Sequence, residues 1–454
     1  MTDELKRIYN ACDPYLPAPA DYYYDCAEAR GSSALAKEFQ RRLTLTDGYI
    51  YFLFSGHIGC GKSSEMLQLE RLLTDADPPY SCYFPVLLDA SDYLDDYDTT
   101  PTDILLAIVT ELAGTLREKA GIELKDGYFT RRLNEVKEFF LSDVEINEGE
   151  LSLGNAKMKI QRLKKDPTAR HKVRAILEPK MSTMIEEINL IFDQARLEVK
   201  KVKVGRSQQC CTDIVVIVDN LEKIRRIAGM DEGLSSQREL FLERYTQLAG
   251  MNAHFIYTIP LRLVRSPDGP QLEHRYGPLF VLPMIKTIER GTRAPYHAGV
   301  ASLRALLKKR LGRLRLEEAF APDALDFLLT YSGGHVRNLM IFVQNACAYT
   351  DNIPISLAAA QKAIRQTVRN YSTAIPEHHW EKLARLDRSS DQKIPNGDGD
   401  YLVMLENLSV LEYINGGDDD PFAVAEPWYA VNPIVRQLQK FKAAATKLEQ
   451  ESAP

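Results

Sequence analysis

The sequence lacks the cysteine spacing of a zinc site or a disulfide framework. Its 454 residues include seven cysteines, none of them in a C-x-x-C pair, at positions 12, 26, 60, 82, 210, 211 and 347. Regular spacing is what structural zinc sites and small disulfide-bonded domains require, so both classes are disfavoured. Scattered cysteines of this kind are typical of a protein kept in a reducing compartment, and we expect the chain to be cytoplasmic.

Long apolar runs and an excess of basic residues are also missing. No run approaches the ~20 apolar residues of a membrane helix, and the first residues do not resemble a signal peptide, so we expect no membrane association. The formal net charge is −6, and the molecule as a whole has no basic footprint for nucleic acid, although a local patch would be compatible with it. With 45% hydrophobic and 26% charged residues, the composition is that of a globular protein of two or three domains.

What the sequence does contain is a phosphate-binding loop. Eight residues fit the pattern G-x-x-x-x-G-K-[ST], followed by Ser64, and they are Gly56, His57, Ile58, Gly59, Cys60, Gly61, Lys62 and Ser63. The glycines allow successive backbone N–H groups to point inward at phosphate oxygens. Lys62 would reach the β- and γ-phosphates, and the Ser63 hydroxyl would hold Mg²⁺. An apolar β-rich run before the loop and a helical pattern after it complete the strand–loop–helix context, so the predicted ligands are ATP and Mg²⁺.

A second motif lies about 150 residues further along the chain. The run from Ile214 to Val218 is fully apolar and β-branched, and it ends in Asp219. This pattern predicts a buried parallel strand with a carboxylate at its carboxyl-terminal tip. In a chain with a phosphate loop that is the Walker B position, where Asp219 would bind Mg²⁺ directly or through water.

The succession of strand-like and helix-like segments predicts an α/β fold. We expect a P-loop NTPase core, with a parallel sheet and helices on both faces, followed by a helical lid and a winged-helix-like carboxyl-terminal domain. The expected segments are an amino-terminal part at 1–48, the core at 49–290 with a helix-and-hairpin insertion at 121–170, the lid at 291–372, and the last domain at 373–454, with a frayed tail from 442.

Two features of the sequence admit alternative interpretations. Tyr22, Tyr23 and Tyr24 could flank a nucleotide base or simply pack the amino-terminal segment onto the core. The stretch 157–180 holds nine Lys or Arg against two acids, and it could be a solvated face or a contact for nucleic acid or a partner.

The order of these motifs resembles the AAA+ and STAND branches of P-loop ATPases, including origin-recognition-type ATPases. The resemblance covers about residues 20–370, and the two Walker motifs are its specific part. It implies that Thr258 is the sensor 1 residue and that Arg337, in S-G-G-x-x-R, is the sensor 2 residue that reaches the γ-phosphate from the lid. It also implies that Arg275 is a finger for a neighbouring subunit's ATP, and hence a homo-oligomer formed through the ATP sites.

Each of these roles has a simpler alternative. Thr258 could be a strand cap, and Arg337 could pair with a carboxylate of the lid. Arg275 could be a surface residue, with Arg262 and Arg265 as rival fingers.

One position departs from the family pattern. Most AAA+ proteins have Glu directly after the Walker B Asp, where it activates water, but this chain has Asn220, whose amide cannot accept a proton. Glu222 is the nearest candidate base, and STAND proteins often carry a second acid at a similar offset. The sequence therefore predicts slow hydrolysis, which suits a switch whose bound nucleotide holds one conformation.

The functions that remain belong to different classes. The first is an ATP-controlled switch or assembly factor, for which the resemblance implies a role in bacterial antiviral defence beside an effector on a separate polypeptide. The alternative is a DNA-binding ATPase of the origin-recognition or loader type, favoured by the stretch 157–180 and opposed by the acidic charge. A metabolic phosphotransferase and a nucleotide-binding scaffold without turnover are the remaining classes.

Overall fold

A computed structural model describes the chain at 2–32, 35–76, 80–122, 161, 163–206, 208–224, 236–415 and 426–451. The predicted insertion at 121–170 falls largely outside these ranges. Within them, no helix combines the length and the apolar composition needed to cross a bilayer.

Five parallel strands form the central sheet and confirm the predicted α/β class. In chain order they are β1 (Tyr51–Gly56), β2 (Phe84–Asp89), β5 (Ile214–Asp219), β6 (His254–Thr258) and β7 (Leu279–Leu282). Their spatial order is β2-β5-β6-β1-β7, so β1 and β5, which carry the two Walker motifs, flank β6. Two short strands, β3 (Lys203–Val204) and β4 (Gln209–Cys210), pair separately as an antiparallel hairpin.

Helices cover both faces of the sheet. Up to the last strand of the core they are α1 (Asp3–Ala11), α2 (Ala27–Arg30), α3 (Leu35–Leu45), α4 (Lys62–Thr74), α5 (Ala90–Tyr93), α6 (Pro101–Ala120), α7 (Pro167–Leu177), α8 (Met181–Val199), α9 (Tyr245–Leu248), α10 (Leu261–Val264) and α11 (Gly269–Tyr276). A 3₁₀ turn, Glu178–Lys180, separates α7 from α8 at Pro179, whose ring does not fit the interior of a continuous helix.

The alternation of side chains along β5 shows how the two faces are filled. Val216 and Val218 belong to a core cluster built with α6 and α8, whereas Val215 and Ile217 belong to a second cluster built with α3 and α4. Successive residues of a strand point to opposite faces, so a strand covered on both sides must be apolar throughout. This is why β5 reads as an uninterrupted apolar run that ends only at Asp219.

The lid follows the core as a helical bundle. Its helices are α12 (His297–Leu311), α13 (Leu316–Ala319), α14 (Pro322–Ser332), α15 (Val336–Ala348), α16 (Leu357–Ala363) and α17 (Arg365–Ala374). The amino-terminal helix α1 packs into the same cluster through Leu5 and Ile8, which are almost fully buried. The first residues of the chain are therefore part of the hydrophobic core of the lid.

Over its described residues, the carboxyl-terminal part contains three helices and two strands, and the two strands pair as a buried antiparallel hairpin. Its elements are α18 (His379–Arg388), α19 (Gly399–Glu406), β8 (Val410–Ile414), β9 (Pro427–Val431) and α20 (Gln439–Glu451). Tyr413 and Trp428 stack with ring centroids 4.6 Å apart, and both are buried in the cluster that also contains Phe52 and Met66 of the core. The strands of this hairpin are thus packed on the ATPase core, unlike a wing that projects into solvent to meet DNA.

The sequence predicted a frayed tail from residue 442, and the structure contradicts this prediction. The chain is helical from Gln439 to Glu451, and Phe441 and Leu448 of this helix are buried against the lid cluster. The local sequence is polar on average, which suggested fraying. The apolar side chains recur at a helical spacing of seven residues, and their burial stabilises the helix.

Candidate functional site

The carboxyl ends of β1, β5 and β6 bring the predicted site residues together. Strand pairing aligns Asp219 with Asp89 of β2, and Phe54, two residues before the loop, with Thr258. In open parallel sheets this edge is where ligands bind. Here it carries the phosphate loop on one side and the Walker B carboxylate on the other.

The glycines of the loop occupy backbone conformations and spaces that exclude a side chain. Gly56, Gly59 and Gly61 have φ values of +147°, +84° and +116°. A Cβ on Gly56 would lie 2.7 Å from the Leu282 carbonyl oxygen, and one on Gly59 would lie 2.8 Å from the Cβ of Arg337. The loop therefore needs glycine at these positions because of the strand and the lid that pack around it.

Hydrogen bonds turn five successive carbonyl groups of the loop away from the cavity. The pairs are Lys62 Nζ to the oxygens of Gly56 (3.1 Å) and His57 (3.2 Å), His335 Nε2 to Ile58 (2.8 Å), the Arg337 backbone N–H to Gly59 (3.2 Å), and Arg30 Nη2 to Cys60 (2.8 Å). These acceptors are thus satisfied within the protein and do not compete with an anion for the N–H groups of the loop, although the Cys60 N–H itself donates to the His57 carbonyl at 3.2 Å.

The lysine of the loop forms a buried ion pair with the candidate base. Lys62 Nζ lies 3.0 Å from Glu222 Oε1, with both side chains almost inaccessible. Burial alone would lower the pKa of Lys62, but the Glu222 carboxylate raises it above its usual value. Burial would likewise raise the pKa of Glu222, yet Lys62 and the Thr258 hydroxyl hold it below its usual value. Both groups are therefore charged, and each is the counter-ion of the other.

Asn220 creates the turn that carries Glu222 into the site. Its backbone is left-handed, with φ of 65°, and its side-chain amide donates to Asp89 at 2.8 Å. Asparagine tolerates this conformation better than most residues. A 3₁₀ turn, Leu221–Lys223, follows at once and points Glu222 toward Lys62. The second carboxylate oxygen of Glu222 is buried and has no hydrogen-bond partner among the described residues, which leaves an acceptor available inside the site.

The hydroxyl of Thr258 supports this turn. It accepts a hydrogen bond from the Leu221 N–H at 3.0 Å and lies 3.3 Å from the Val218 carbonyl. Thr258 is completely buried at the tip of β6. The structure thus places it directly behind Glu222, in keeping with both the strand-cap interpretation and the predicted sensor position.

A hydroxyl and a carboxylate lie where Mg²⁺ is predicted. The Ser63 hydroxyl hydrogen-bonds Asp219. Burial, together with the charge of Glu222, raises the pKa of Asp219 to about 6. Asp89 also lines the cavity beside them. Hard oxygen donors of this kind fit Mg²⁺ bound together with phosphate oxygens, which would lower the energetic cost of two neighbouring acids.

The predicted arginines have different surroundings. Arg337 lines the cavity, and its Nε donates to the Pro14 carbonyl at 3.2 Å, so no lid carboxylate pairs with it among the described residues. Arg275 donates to the Leu242 carbonyl and lies over the Tyr245 ring at 5.0 Å, away from this cavity. Its role toward a second subunit stays a prediction.

The cavity between core and lid has a volume of about 220 Å³. Its walls include the phosphate loop with Asp219 and Glu222, residues 13–17 of the amino-terminal segment, and Val336 and Met340 of the lid. The apolar side chains among these residues are suited to hold a base. Of the two interpretations of the Tyr22–Tyr24 cluster, the geometry favours packing, because Tyr23 donates to Glu65 at 2.9 Å and the segment 13–17 lines the cavity instead.

Two further residues at the site, Arg30 and Arg310, belong to no sequence motif, so the sequence did not predict them. Arg30 is buried and bridges the Cys60 carbonyl of the loop and the Pro283 carbonyl after β7. Arg310 of α12 lines the cavity, is only 7% exposed, and donates to the Ala11 carbonyl at 3.0 Å. Within the described ranges no carboxylate forms an ion pair with Arg310, its Nε has no partner, and burial lowers its pKa.

The basic stretch 157–180 contributes part of its charge to the interior. Arg170 and Arg174 are mostly buried and form ion pairs with acids in the loop before α6 and in the first turn of α6. The partners are Asp95 (3.5 Å) and Asp98 (3.1 Å) for Arg170, and Asp98 (2.6 Å) and Asp103 (2.6 Å) for Arg174. Lys164 donates to the Ser91 carbonyl. These three residues are thus engaged by the protein itself.

Comparison with known proteins yields a likeness of structure only. No family model matches the sequence, and no curated protein sequence matches it. The chain is similar to the Walker-type ATPase of Pyrococcus abyssi at 13% identity, covering 97% of this chain and 99% of that one with a TM-score of 0.43. It is also similar to the Orc1 protein of Aeropyrum pernix in complex with DNA (12%, 98% of each chain, TM-score 0.39) and to Drosophila ORC bound to DNA (10%, 98% and 93%, TM-score 0.38).

We expect Arg310→Met to weaken binding of a nucleotide by about tenfold without lowering stability. A buried cation without a counter-ion destabilises the empty protein, and a ligand with acceptor atoms would compensate it. The measurements are affinity by calorimetric titration and the free energy of unfolding by denaturant. Arg313→Met, at an exposed position of the same region, is the control. Equal affinities for the two variants would contradict a ligand contact by Arg310.

Proposed function

We propose that this chain binds MgATP between core and lid, as an AAA+-type P-loop ATPase, and hydrolyses it slowly as a nucleotide-controlled switch. The observation that carries the proposal is the convergence of Lys62, Ser63, Asp219 and Glu222 at one cavity, beside a loop in which five successive carbonyls are bound within the protein. Few other ligands need a glycine-rich loop before a helix, a lysine and a pair of acids at the same edge of a sheet.

The ion pair of Lys62 with Glu222 indicates how binding would prepare catalysis. The three N–H groups of Lys62 Nζ are used by Glu222 and by the carbonyls of Gly56 and His57, so a phosphate oxygen would have to replace one of these acceptors. When it replaces the carboxylate, the phosphate becomes the counter-ion of Lys62. Glu222 then loses the cation that holds its proton affinity down. A carboxylate released in this way can accept a proton from water beside the γ-phosphate. Ser63 and Asp219 would hold the metal, which neutralises charge on the phosphates.

The lid contacts make the same site suitable for a switch. His335 and the Arg337 backbone bind the loop carbonyls directly, and the Arg337 side chain lines the cavity. A ligand placed between loop and lid would therefore contact both, and its loss would favour separate positions. Assembly through the ATP sites, with Arg275 as the finger, belongs to this proposal, and the defence role with a separate effector rests on the sequence resemblance alone.

Replacement of the loop lysine tests ATP binding. Lys62→Ala should abolish detectable binding, because it removes the cation that pairs with phosphate and leaves Glu222 as an uncompensated buried charge. The measurement is a direct titration with ATP in the presence of Mg²⁺. Unchanged affinity would refute the assignment of the loop.

Replacement of the candidate base separates binding from turnover. Glu222→Gln should lower turnover by about 100-fold or more, because the amide cannot accept a proton. ATP should bind at least as tightly as in the wild type, since Lys62 no longer has a competing anion. Glu70→Gln, which alters an ion pair with Lys119 on the surface, serves as control. Normal turnover by Glu222→Gln would assign the base elsewhere.

A DNA-acting ATPase of the origin-recognition type is the second candidate. Two of the similar structures contain DNA, and Lys165 and Lys180 of the basic stretch 157–180 have exposed side chains. If DNA binds there, affinity for duplex should fall steeply as salt rises, by about tenfold or more between 50 and 200 mM. Fluorescence anisotropy with labelled duplex measures this. Absence of binding at low salt would dismiss the candidate.

A further inference from the structure

Within the carboxyl-terminal strand β8, Glu412 makes polar contacts with the core through both its backbone and its side chain. Its backbone N–H donates to Nε2 of His57 at 2.9 Å, and its carbonyl accepts from the Met284 N–H at 3.1 Å. Its carboxylate accepts two hydrogen bonds from Arg265, at 2.7 and 2.6 Å, and Glu412 is completely buried. Backbone and side chain of one residue are therefore fixed from three sides.

His57 transmits this attachment to the phosphate loop. Nδ1 of its buried ring donates to the Leu405 carbonyl at 3.0 Å, which leaves Nε2 as the acceptor for Glu412. Burial lowers the pKa of His57 to about 3, so the ring stays neutral and keeps this tautomer. Both ring nitrogens thus bind the carboxyl-terminal part, while the backbone of His57 belongs to the loop.

The position of this ring bears on the catalytic lysine. The carbonyl of His57 and that of Gly56 are the two acceptors that hold Lys62 Nζ from the loop side. A shift of His57 would move these acceptors and the N–H groups that follow them. Loop amides must be placed within a few tenths of an ångström to bind phosphate, so small displacements matter.

We infer that Glu412 and Arg265 are positioning residues of the nucleotide site, which act through His57 and couple the carboxyl-terminal hairpin to the bound nucleotide. This inference rests on the proposed function of the loop. Glu412 and Arg265 touch no ligand. They hold the hairpin, and the hairpin holds the loop in the shape that receives phosphate.

Coupling of this kind is reciprocal by thermodynamic necessity. If docking of β8 strengthens nucleotide binding, then nucleotide must strengthen docking of β8 by the same factor. The N–H of Glu412 is a direct reporter, because its acceptor is the ring of His57 itself. ATP should therefore slow hydrogen exchange in the segment that contains this amide.

A neighbouring ion pair supplies a matched control. Arg262, three residues before Arg265, lies 3.5 Å from Glu406 at the end of α19. This pair also joins the core to the carboxyl-terminal part, but neither residue contacts the phosphate loop. A merely structural role predicts that loss of either pair has the same effect.

The test compares Arg265→Met/Glu412→Gln with Arg262→Met/Glu406→Gln. Each double variant removes both charges, so no buried charge is left unpaired. Below the unfolding temperature, we expect the first to bind ATP about tenfold more weakly and the second to stay within about twofold of the wild type. ATP should slow exchange of the Glu412 segment in the wild type and in the control, and it should not do so in the first variant.

The outcomes separate this inference from the proposed function. If the wild type binds no ATP, the proposed function fails. If the wild type binds ATP and both variants match it, or both lose affinity equally, the inference alone is overturned. Should the first variant fail to fold, Arg265→Lys keeps the charge but loses the bidentate geometry. A loss of ATP affinity in Arg265→Lys, with ATP-dependent protection reduced, supports the coupling, and unchanged values overturn it.

Discussion

The site depends on how the carbonyl groups of the phosphate loop are satisfied. A peptide group that turns its N–H toward a ligand turns its carbonyl toward the protein, where an unpaired buried acceptor would be costly. Five carbonyls are bound here, by Lys62 at the end of the loop, by Arg30 from the amino-terminal segment, and by His335 and the backbone of Arg337 from the lid. The loop is therefore preorganised by distant parts of the chain, and those parts are joined to one another through it.

Charge balance imposes a second constraint on the same site. Three ionisable groups, Lys62, Asp219 and Glu222, lie close together at low accessibility, and Lys62 is balanced by Glu222 while Asp219 keeps a raised pKa. Phosphate and metal would bring opposite charges that rearrange these pairs without leaving one unpaired. Because a phosphate oxygen would have to replace one of the acceptors that Lys62 already has, ligand entry competes with a stable internal contact. This competition is compatible with a switch and unfavourable for a fast motor.

Local patterns made the core predictable, whereas the partners of the loop were not. The strand before the loop, the loop at 56–63, the strand β5 and the acid at 219 follow from runs of adjacent residues. The contacts of His57 with residues near 405 and 412, or of His335 with Ile58, join positions hundreds of residues apart. No spacing rule encodes such pairs. The helix at 439–451 was missed for a related reason, because tertiary packing and not local polarity decides its stability.

The size of the cavity indicates which of its walls must move. At about 220 Å³ it is smaller than the ~300–1,000 Å³ of typical ligand pockets, so a nucleoside triphosphate requires more room. One wall is the sheet, and the lid wall is tied to the loop by His335. The remaining wall, residues 13–17, carries Tyr15 and Leu16, whose side chains are 78% and 65% exposed. Displacement of this segment would break the hydrogen bond from Arg337 to the Pro14 carbonyl and strain the one from the Ala18 N–H to the Ser64 hydroxyl, and since α1 ends just before it inside the lid core, the change would reach the lid.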